Sequence, residues 1–520
     1  MRSGSASEPP TRGSRPVLGR LTLLLLAALS GAAGGRADAG EPGEPPAPQG
    51  LAPPDLAAAP PNGDDTFQYL QPRPPARLRA TAWVGTYVGL QLTSYLFTSR
   101  PSGPVYSSTY GPWDKLVRGA TSIDSNTFRT NFAGHPAMGA ALYQLARGNR
   151  LTTWGSALAA AAGSAAWELI EFHERASIND LVITPVAGVA LGEPLLQLAA
   201  HLDRSSASSG RTALAWLAAP WKKLADALDG ATLARGRPAD TLAGRVELGA
   251  AAASGPDGRR DEVRAALGWA LWRDPDYGAP GEARHAWLDA QASRLQLSGA
   301  VGAQGFTDAH LSSSVLLAAL YARAIDADGR GVDLVAGGGL GFEVGGHAWT
   351  RLGSFDLKGA VELPRLSLQV RRLAGPLRLT ARLDAALRFG GSRSFALDGV
   401  PDAAGSTTLP TVQRQFGYHF GLGGSLHPAL ELGWGPAALQ LAWRGELLGG
   451  LRGPDPVDGH RPVTRLDEGW TQANARASWT FSGWLEVALD AAQRRRWSRA
   501  DATTRTAVER SFGLAVSILL

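Results

Sequence analysis

Hydrophobic and polar residues alternate along the second half of the chain, from about residue 241 to residue 520. Segments of about ten residues carry an apolar side chain at every second position, which is the period of a β-strand with two different faces. Turn-rich stretches separate the segments, for example 254–260, 326–331 and 453–461. Alternating segments of this length are typical of a transmembrane β-barrel, and 280 residues allow on the order of 12 strands. The longer loops, near 273–284, 391–413 and 450–468, are expected to share one rim.

The last ten residues show this alternation most clearly. Large apolar side chains occupy every second position to the chain end, at Phe512, Leu514, Val516, Ile518 and Leu520. The segment resembles the C-terminal strand by which outer-membrane barrels are recognised for assembly, although those strands usually end in an aromatic residue. The resemblance implies the barrel-assembly machinery as a partner. The alternative is a soluble periplasmic β-sandwich, in which such a strand exposed at an edge would promote aggregation.

A helical period replaces the alternation between about residues 77 and 203. Apolar residues and small residues four positions apart predict helices over 80–97, 136–147, 152–171 and 185–202. The fold class is therefore α+β, with a bundle of about four helices followed by an antiparallel transmembrane barrel. The pattern leaves open whether the bundle is membrane-associated or Ala-rich and soluble.

An amphipathic connector is predicted between the two halves, over 204–240. Its segment 213–228 places apolar residues on one helical face and Lys222 and Lys223 on the other. Such a helix either lies on a bilayer surface or packs against a neighbouring domain.

The first 76 residues predict export and a flexible segment. Residues 1–39 combine five arginines, an apolar run over 21–29 and an Ala-x-Ala pattern over 37–39, which together indicate a signal peptide. Residues 40–76 are rich in Pro and predict a disordered tether. Removing the signal peptide lowers the net charge from +5 to +2, which gives no reason to expect nucleic acid. The absence of Cys excludes disulfides and thiolate chemistry.

Polar residues concentrate in the helical region. The dense positions are Asn126, Asn131, Gly134, His135, Pro136, Glu168, Glu171, Ser177, Asn179, Asp180, Thr184, Pro185, Gly188, Gly192 and Glu193. In this order and spacing, with Gly139, Tyr143 and Arg147 between them, residues 80–203 resemble a bacterial family called domain of unknown function 3943. The resemblance implies an envelope protein without an assigned activity.

Three of these residues are candidates for catalysis. His135 suits a general base or a metal ligand, or it hydrogen-bonds a loop at the start of a helix. Glu168 and Glu171 share a helical face, where they either share a proton or a cation, or pair with Arg147 or Arg175. Ser177 and Asp180 have the spacing of a helix-capping box. A catalytic role requires His135, Glu168 and Asp180 to converge.

Two classes of function follow. The first is a non-enzymatic outer-membrane protein with a structural, lipid-contacting or transport role, its helical domain packed on the barrel, plugging the lumen or on the periplasmic side. The alternative is an envelope hydrolase or transferase acting on lipid or cell-wall material, with His135 and Glu168 as acid and base and Asp180 as an orienting or metal-binding group. A third possibility is a periplasmic interaction module tethered to the membrane. We expect outer-membrane lipid as a partner and no cofactor or metal, and the sequence leaves the oligomeric state open.

Overall fold

The structure is a computed structural model that describes Phe67, Tyr69 and residues 74–98, 111–123, 126–171, 175–205, 208–231 and 240–520. Within the last range it leaves out 257, 275, 291, 304, 350–353, 395, 397–417, 452–464 and 501. The predicted signal peptide lies outside the described residues, as does most of the predicted tether.

Twelve antiparallel strands form a closed barrel, which confirms the predicted architecture and strand number. The ring closes where β7 (Gly305–Ile325) pairs with both β6 (Ala292–Gly302) and β8 (Gly331–Trp349). A short additional strand, β5 (Gly281–Leu288), extends β6 along the same edge of β7, because both pair with β7 at successive positions. The strands are β3 (Thr241–Gly255), β4 (Gly258–Trp272), β5 (Gly281–Leu288), β6 (Ala292–Gly302), β7 (Gly305–Ile325), β8 (Gly331–Trp349), β9 (Ser354–Ala374), β10 (Leu377–Ser392), β11 (His419–Trp434), β12 (Ala437–Gly450), β13 (Leu466–Ser482), β14 (Leu485–Ala500) and β15 (Thr503–Leu519), and a separate two-stranded pairing joins β1 (Thr121–Ser122) to β2 (Ala176–Ser177).

The two rims of the barrel differ in their connections. The terminal rim is where β3 begins and β15 ends, and the loop rim is the opposite one. The two longest connections, 393–418 and 451–465, are both at the loop rim. The connection 273–280 is at the terminal rim, so the expectation that all three long loops share a rim is wrong. Strand direction decides this, because β4 runs back towards the terminal rim.

Side chains alternate between the lumen and the outside of the wall, as predicted. In β15, Phe512 and Leu514 are exposed on the outside, whereas Ser511 and Ser517 are buried on the lumen side. Inward charged residues meet across the barrel: Arg496 of β14 donates to Asp356 of β9 at 2.9 Å. The wall is therefore apolar outside and charged inside, the arrangement of a barrel that spans a membrane.

Seven helices are described before the barrel, of which four are long and match the four predicted ones. The helices are α1 (Arg77–Thr98), α2 (Pro112–Leu116), α3 (His135–Gly148), α4 (Thr153–Ile170), α5 (Ile178–Ser205), α6 (Ser209–Ala218) and α7 (Pro220–Asp229), and a π-helical turn, Thr130–Gly134, leads into α3. The helix predicted to start at Pro185 begins at Ile178 instead, because Ser177 Oγ accepts the amide of Asp180 at 3.1 Å. Pro185 lies within α5.

The bundle packs against the outer face of the barrel wall. Buried residues of α5, such as Ala190 and Leu196, share one apolar core with Val315, Phe342 and Val361 on the outside of β7, β8 and β9. These barrel positions alternate with the inward charged ones, so the predicted alternative of a helical plug in the lumen is wrong for the described helices. The predicted packing on the barrel is what the structure shows.

Candidate functional site

Two glycines set the distance between α3 and α5, the helices that carry most of the motif. Gly139 and Gly188 face each other, and a Cβ on Gly188 would lie 2.5 Å from the carbonyl carbon of Gly139. A Cβ on Gly139 would overlap the carbonyl of Thr184. One helical turn further along α5, a Cβ on Gly192 would lie 2.9 Å from the Tyr143 ring. The motif glycines therefore allow two backbones to touch.

His135 and Asp180 meet at the loop-rim end of the bundle, and Glu168 is linked to Asp180 through Ser177. His135 Nε2 lies 3.2 Å from Asp180 Oδ2. Glu168 Oε2 accepts the amide of Ser177 at 2.5 Å, and Ser177 in turn caps the amide of Asp180. Asn179 donates to Asp180 Oδ1 at 3.0 Å. His135 begins α3 with Pro136 in its first turn, and Gly134 ends the π-helical turn before it.

The contacts of this cluster join chain segments to one another. Glu168, Ser177 and Asp180 are almost completely buried. The ammonium group of Lys115 donates to the backbone carbonyls of Glu168 and Glu171, both at 2.5 Å. The cluster thus connects α2, α4 and the start of α5, and half of the predicted capping box, Ser177 to Asp180, is present. The catalytic roles of His135, Glu168 and Asp180 remain predictions.

A second polar cluster lies deep in the bundle and reaches the barrel. Arg147, one of the two arginines predicted to pair with Glu168 or Glu171, pairs instead with Glu193, with its Nε 3.2 Å from Oε2. Tyr143 donates to the same carboxylate at 2.7 Å. Gln197 donates to Glu193 and to the carbonyl of Ala290, and it accepts from Ser293 at 2.7 Å. The pairing follows from the close approach of α3 and α5, which sequence spacing does not reveal.

A polar and aromatic contact joins the bundle to the barrel at the loop rim. Asn131 donates to the hydroxyl of Tyr418 at 2.7 Å, and this hydroxyl donates to the carbonyl of Asn126 at 2.6 Å. Phe132 packs beside Tyr418 and Phe420. Asn126 and Asn131 were predicted as motif residues, but Tyr418 lies almost 300 positions later and carries no sequence signal.

Ionic contacts hold the bundle at the terminal rim. His201 and Arg204 at the end of α5 both bind Asp240, which directly precedes β3, and the His201 contact is 2.5 Å. Burial alone would raise the pKa of Asp240, but the hydrogen bond from His201 and the charge of Arg204 outweigh burial and lower it. In addition, Phe67, which belongs to the predicted tether, is buried beside Arg147 and Lys222. The tether is thus held to the bundle at this position.

The barrel lumen contains a cavity of about 530 Å³ nearer the terminal rim. Six arginines and four carboxylates are among its lining residues: Arg245, Arg294, Arg365, Arg382, Arg444 and Arg476, with Glu247, Glu343, Glu362 and Asp384. Five of the arginines have a carboxylate partner. Arg294 has none within 4.0 Å among the described residues, and it donates to the Gln369 side chain at 2.7 Å.

A smaller cavity of about 270 Å³ lies nearer the loop rim and shares Gln296, Arg444 and Asn474 with the first. Its other lining residues include His310, His347, Lys358, Trp470, Arg494 and Arg496. The two cavities are stacked along the barrel axis, with Arg444 between them. The sequence analysis missed the whole lumen site, although the inward Arg, Glu and Asp residues of the alternating strands were its signal.

Residues at both rims narrow the lumen. At the terminal rim, Tyr277 of the connection 273–280 stacks on Trp272 with ring centroids 4.1 Å apart and accepts a hydrogen bond from Gln369. At the loop rim, the amide of Ala396 donates to Ser498 at 2.8 Å. Tyr277 and Ala396 thus contact inward-facing residues at the two ends of the lumen.

The closed antiparallel wall, its apolar outside and its charged lumen define an outer-membrane β-barrel protein. Residues 120–221 match the family model described as "Domain of unknown function (DUF3943)". This match confirms the resemblance found in the sequence, although it begins and ends later than the span 80–203.

Solved outer-membrane barrels are similar in structure to about half of the chain. A NanC porin is 8% identical and covers 53% of this chain and 100% of its own, with a TM-score of 0.25. An outer-membrane protein of Vibrio cholerae, an OmpT variant with loop L8 deleted, is 9% identical and covers 54% of this chain and 100% of its own, with a TM-score of 0.20. The translocator domain of the autotransporter NalP from Neisseria meningitidis is 12% identical and covers 53% of this chain and 88% of its own, with a TM-score of 0.22. No curated protein matches the chain in sequence.

Proposed function

We propose that this protein admits small anionic solutes into its barrel lumen and passes them across the outer membrane. The observation that carries the proposal is the cavity nearer the terminal rim, in which Arg294 faces the lumen without a carboxylate partner among the described residues. A guanidinium group forms strong, directed hydrogen bonds to carboxylates and phosphates. A small solute carrying either group would give Arg294, which otherwise binds Gln369 and lies over the Trp272 ring, an anionic partner.

The size and charge of the lumen support the same class of solute. The cavity of about 530 Å³ lies in the range that holds a small molecule, roughly 300–1,000 Å³. Arginines outnumber carboxylates in its lining, which favours anions over cations. Arg444 borders both cavities and is bound to Glu343 and Glu446, so a solute moving between the cavities passes a paired arginine.

Conductance in planar bilayers tests this proposal. In a KCl gradient we expect a reversal potential that favours Cl⁻ over K⁺, and acetate or phosphate should block the current. Arg294→Gln should lower the anion preference and Arg294→Glu should reverse it. The matched control is Arg259→Gln, because Arg259 is exposed at the start of β4 and pairs with Asp261 outside the lumen.

The Tyr277→Gly variant removes the ring that narrows the terminal rim. It should raise conductance while keeping the anion preference. A cation preference in the unaltered protein, or no current in either the unaltered protein or Tyr277→Gly, would overturn the proposal.

A second candidate is an envelope hydrolase or transferase, which the contact of His135 with Asp180 and the link of Glu168 to Ser177 favour. His135→Gln is the test. An altered lipid or cell-wall composition with an unchanged amount of folded protein would support the enzyme. Loss of folded protein, or no effect on composition, would contradict it.

A further inference from the structure

The bundle covers part of the same outer surface that is bare elsewhere on the barrel. Phe342, Val361, Phe389 and Leu422 follow one another as paired neighbours across β8, β9, β10 and β11. They form one row of outward-facing neighbours across four adjacent strands. Phe342 and Val361 are 2% and 1% exposed beneath the bundle, whereas Leu422 is 55% exposed. The bundle therefore covers part of an outward apolar surface that continues, exposed, onto β11.

The long helices of the bundle extend from one rim to the other. At the loop rim, Phe132, just before α3, packs against Phe420. At the terminal rim, Arg204, near the end of α5, binds Asp240. With 28 residues α5 is roughly 42 Å long, and with 22 residues α1 is roughly 33 Å long, both enough for a hydrocarbon layer of about 30 Å. Among the described helices, α5 is the one whose length and apolar composition suffice on their own for a membrane span.

The faces of α1 and α4 that point away from the barrel are uncharged and carry large apolar side chains. Residues 80–97 and 153–167 contain no charged side chain. Large apolar side chains stand out from both helices: Leu90 is 64% exposed, Phe97 78% and Leu158 71%. Charged residues occur near the helix ends, as with Arg79 and Arg150, which both bind Asp229 of α7. This is the distribution that a bilayer requires of a spanning helix.

The charged groups inside the bundle are paired. Arg147 and Glu193 are completely buried and bind one another, with Tyr143 and Gln197 as further partners. Ionisable residues within a membrane occur in this way, facing the interior of a bundle and bound to each other.

We infer that α1, α3, α4 and α5 lie within the hydrocarbon layer of the outer membrane, beside the barrel, and that lipid acyl chains cover the outer faces of α1 and α4. The four helices run alternately up and down, so the chain enters and leaves the membrane at the terminal rim. This inference does not depend on solute passage through the lumen.

Spin labels at single cysteines test the inference, because the chain has no Cys of its own. The test positions are Leu90→Cys in α1 and Leu158→Cys in α4. Leu430→Cys on the outside of β11 is the lipid reference, and Asp261→Cys near an exposed turn is the aqueous reference. Full-length protein in liposomes of outer-membrane phospholipid is probed with oxygen, which enriches in lipid, and with a nickel chelate, which stays in water.

We expect the labels at 90 and 158 to be accessible to oxygen and protected from nickel, like the label at 430. If they are accessible to nickel while the label at 430 is protected, the bundle stands in water and the inference is overturned. If both probes are excluded, a protein partner or a second copy covers the helices, which also overturns it. If the label at 430 is itself accessible to nickel, the barrel is not in the membrane, and the proposed passage of anions fails as well.

Discussion

Arg147 and Glu193 form an ion pair with no exposure to solvent, at the centre of the helical bundle. Removing one partner of such a pair leaves the other charge buried without compensation, whereas replacing both with apolar residues can be neutral. The pair therefore favours the packing of α3 against α5 over any arrangement that would separate the two charges. Gln197 extends this constraint to the barrel, because it contacts both Glu193 and Ser293.

We predict that Arg147→Met alone and Glu193→Leu alone each destabilise the protein by about 3–5 kcal/mol. The double variant should recover most of that loss, because no unpaired charge remains. Urea unfolding, followed by the heat-dependent gel mobility of the full-length protein, measures the effect. If the double variant were as unstable as the sum of the single variants, the charges would not depend on each other.

The sequence identified most of the residues of the helical sites but not how they pair. Glu193 and Asp180 were found through motif spacing, whereas the contact of His135 with Asp180 could not be predicted from spacing. Arg147 was predicted to pair with Glu168 or Glu171, but it binds Glu193. Pairing depends on which helix faces cross, and this is a property of the packed bundle.

At the scale of elements, the contact of α3 with α5 depends on two glycines. Glycine normally weakens a helix relative to alanine by roughly 0.5–1 kcal/mol. At Gly139 and Gly188 this cost is offset by the close approach of the two backbones. Helix glycines without such a neighbour, such as Gly89, have open space around them.

We predict opposite effects for the same substitution at two helical glycines. Gly139→Ala should destabilise the protein by about 1–3 kcal/mol, because the added methyl group overlaps the carbonyl of Thr184. Gly89→Ala is the matched control and should be neutral or stabilising by about 0.5 kcal/mol. Thermal loss of the unheated gel band measures both variants, and equal effects would contradict the tight crossing.

The period of the hydrophobic positions correctly predicted which segments are helices and which are strands. It did not predict all of their boundaries. The capping contact of Ser177 adds seven residues to α5 before Pro185, and a proline pattern alone suggested the later start. Likewise, the connector was expected as one amphipathic helix and forms α6 and α7, because Pro220 begins a new helix.

At the scale of the whole molecule, the solvent outside the barrel decides what each face of the wall tolerates. Leu430 points outward into the surface assigned to lipid, and Gln472 points into the lumen beside other polar side chains. An arginine costs about 2–4 kcal/mol on the lipid side near the middle of the bilayer, whereas lumen positions mainly tune selectivity.

We therefore predict that Leu430→Arg lowers the amount of folded, heat-modifiable protein strongly, and that Gln472→Arg leaves it nearly unchanged. Refolding into liposomes over a urea series gives the difference in stability. If both arginines were tolerated equally, water would surround the barrel, and its assignment to the membrane would be wrong.

By itself the sequence determined the two periods, and with them a helical bundle, a barrel of about 12 strands and the face of each strand that is apolar. Only the tertiary structure decided that the bundle lies on the outer wall and that charged residues from distant strands meet in the lumen. The physical reason is that an outward leucine is equally satisfied by a lipid chain or by a helix such as α5, since both present hydrocarbon. Which of the two covers it is therefore not written in the local pattern.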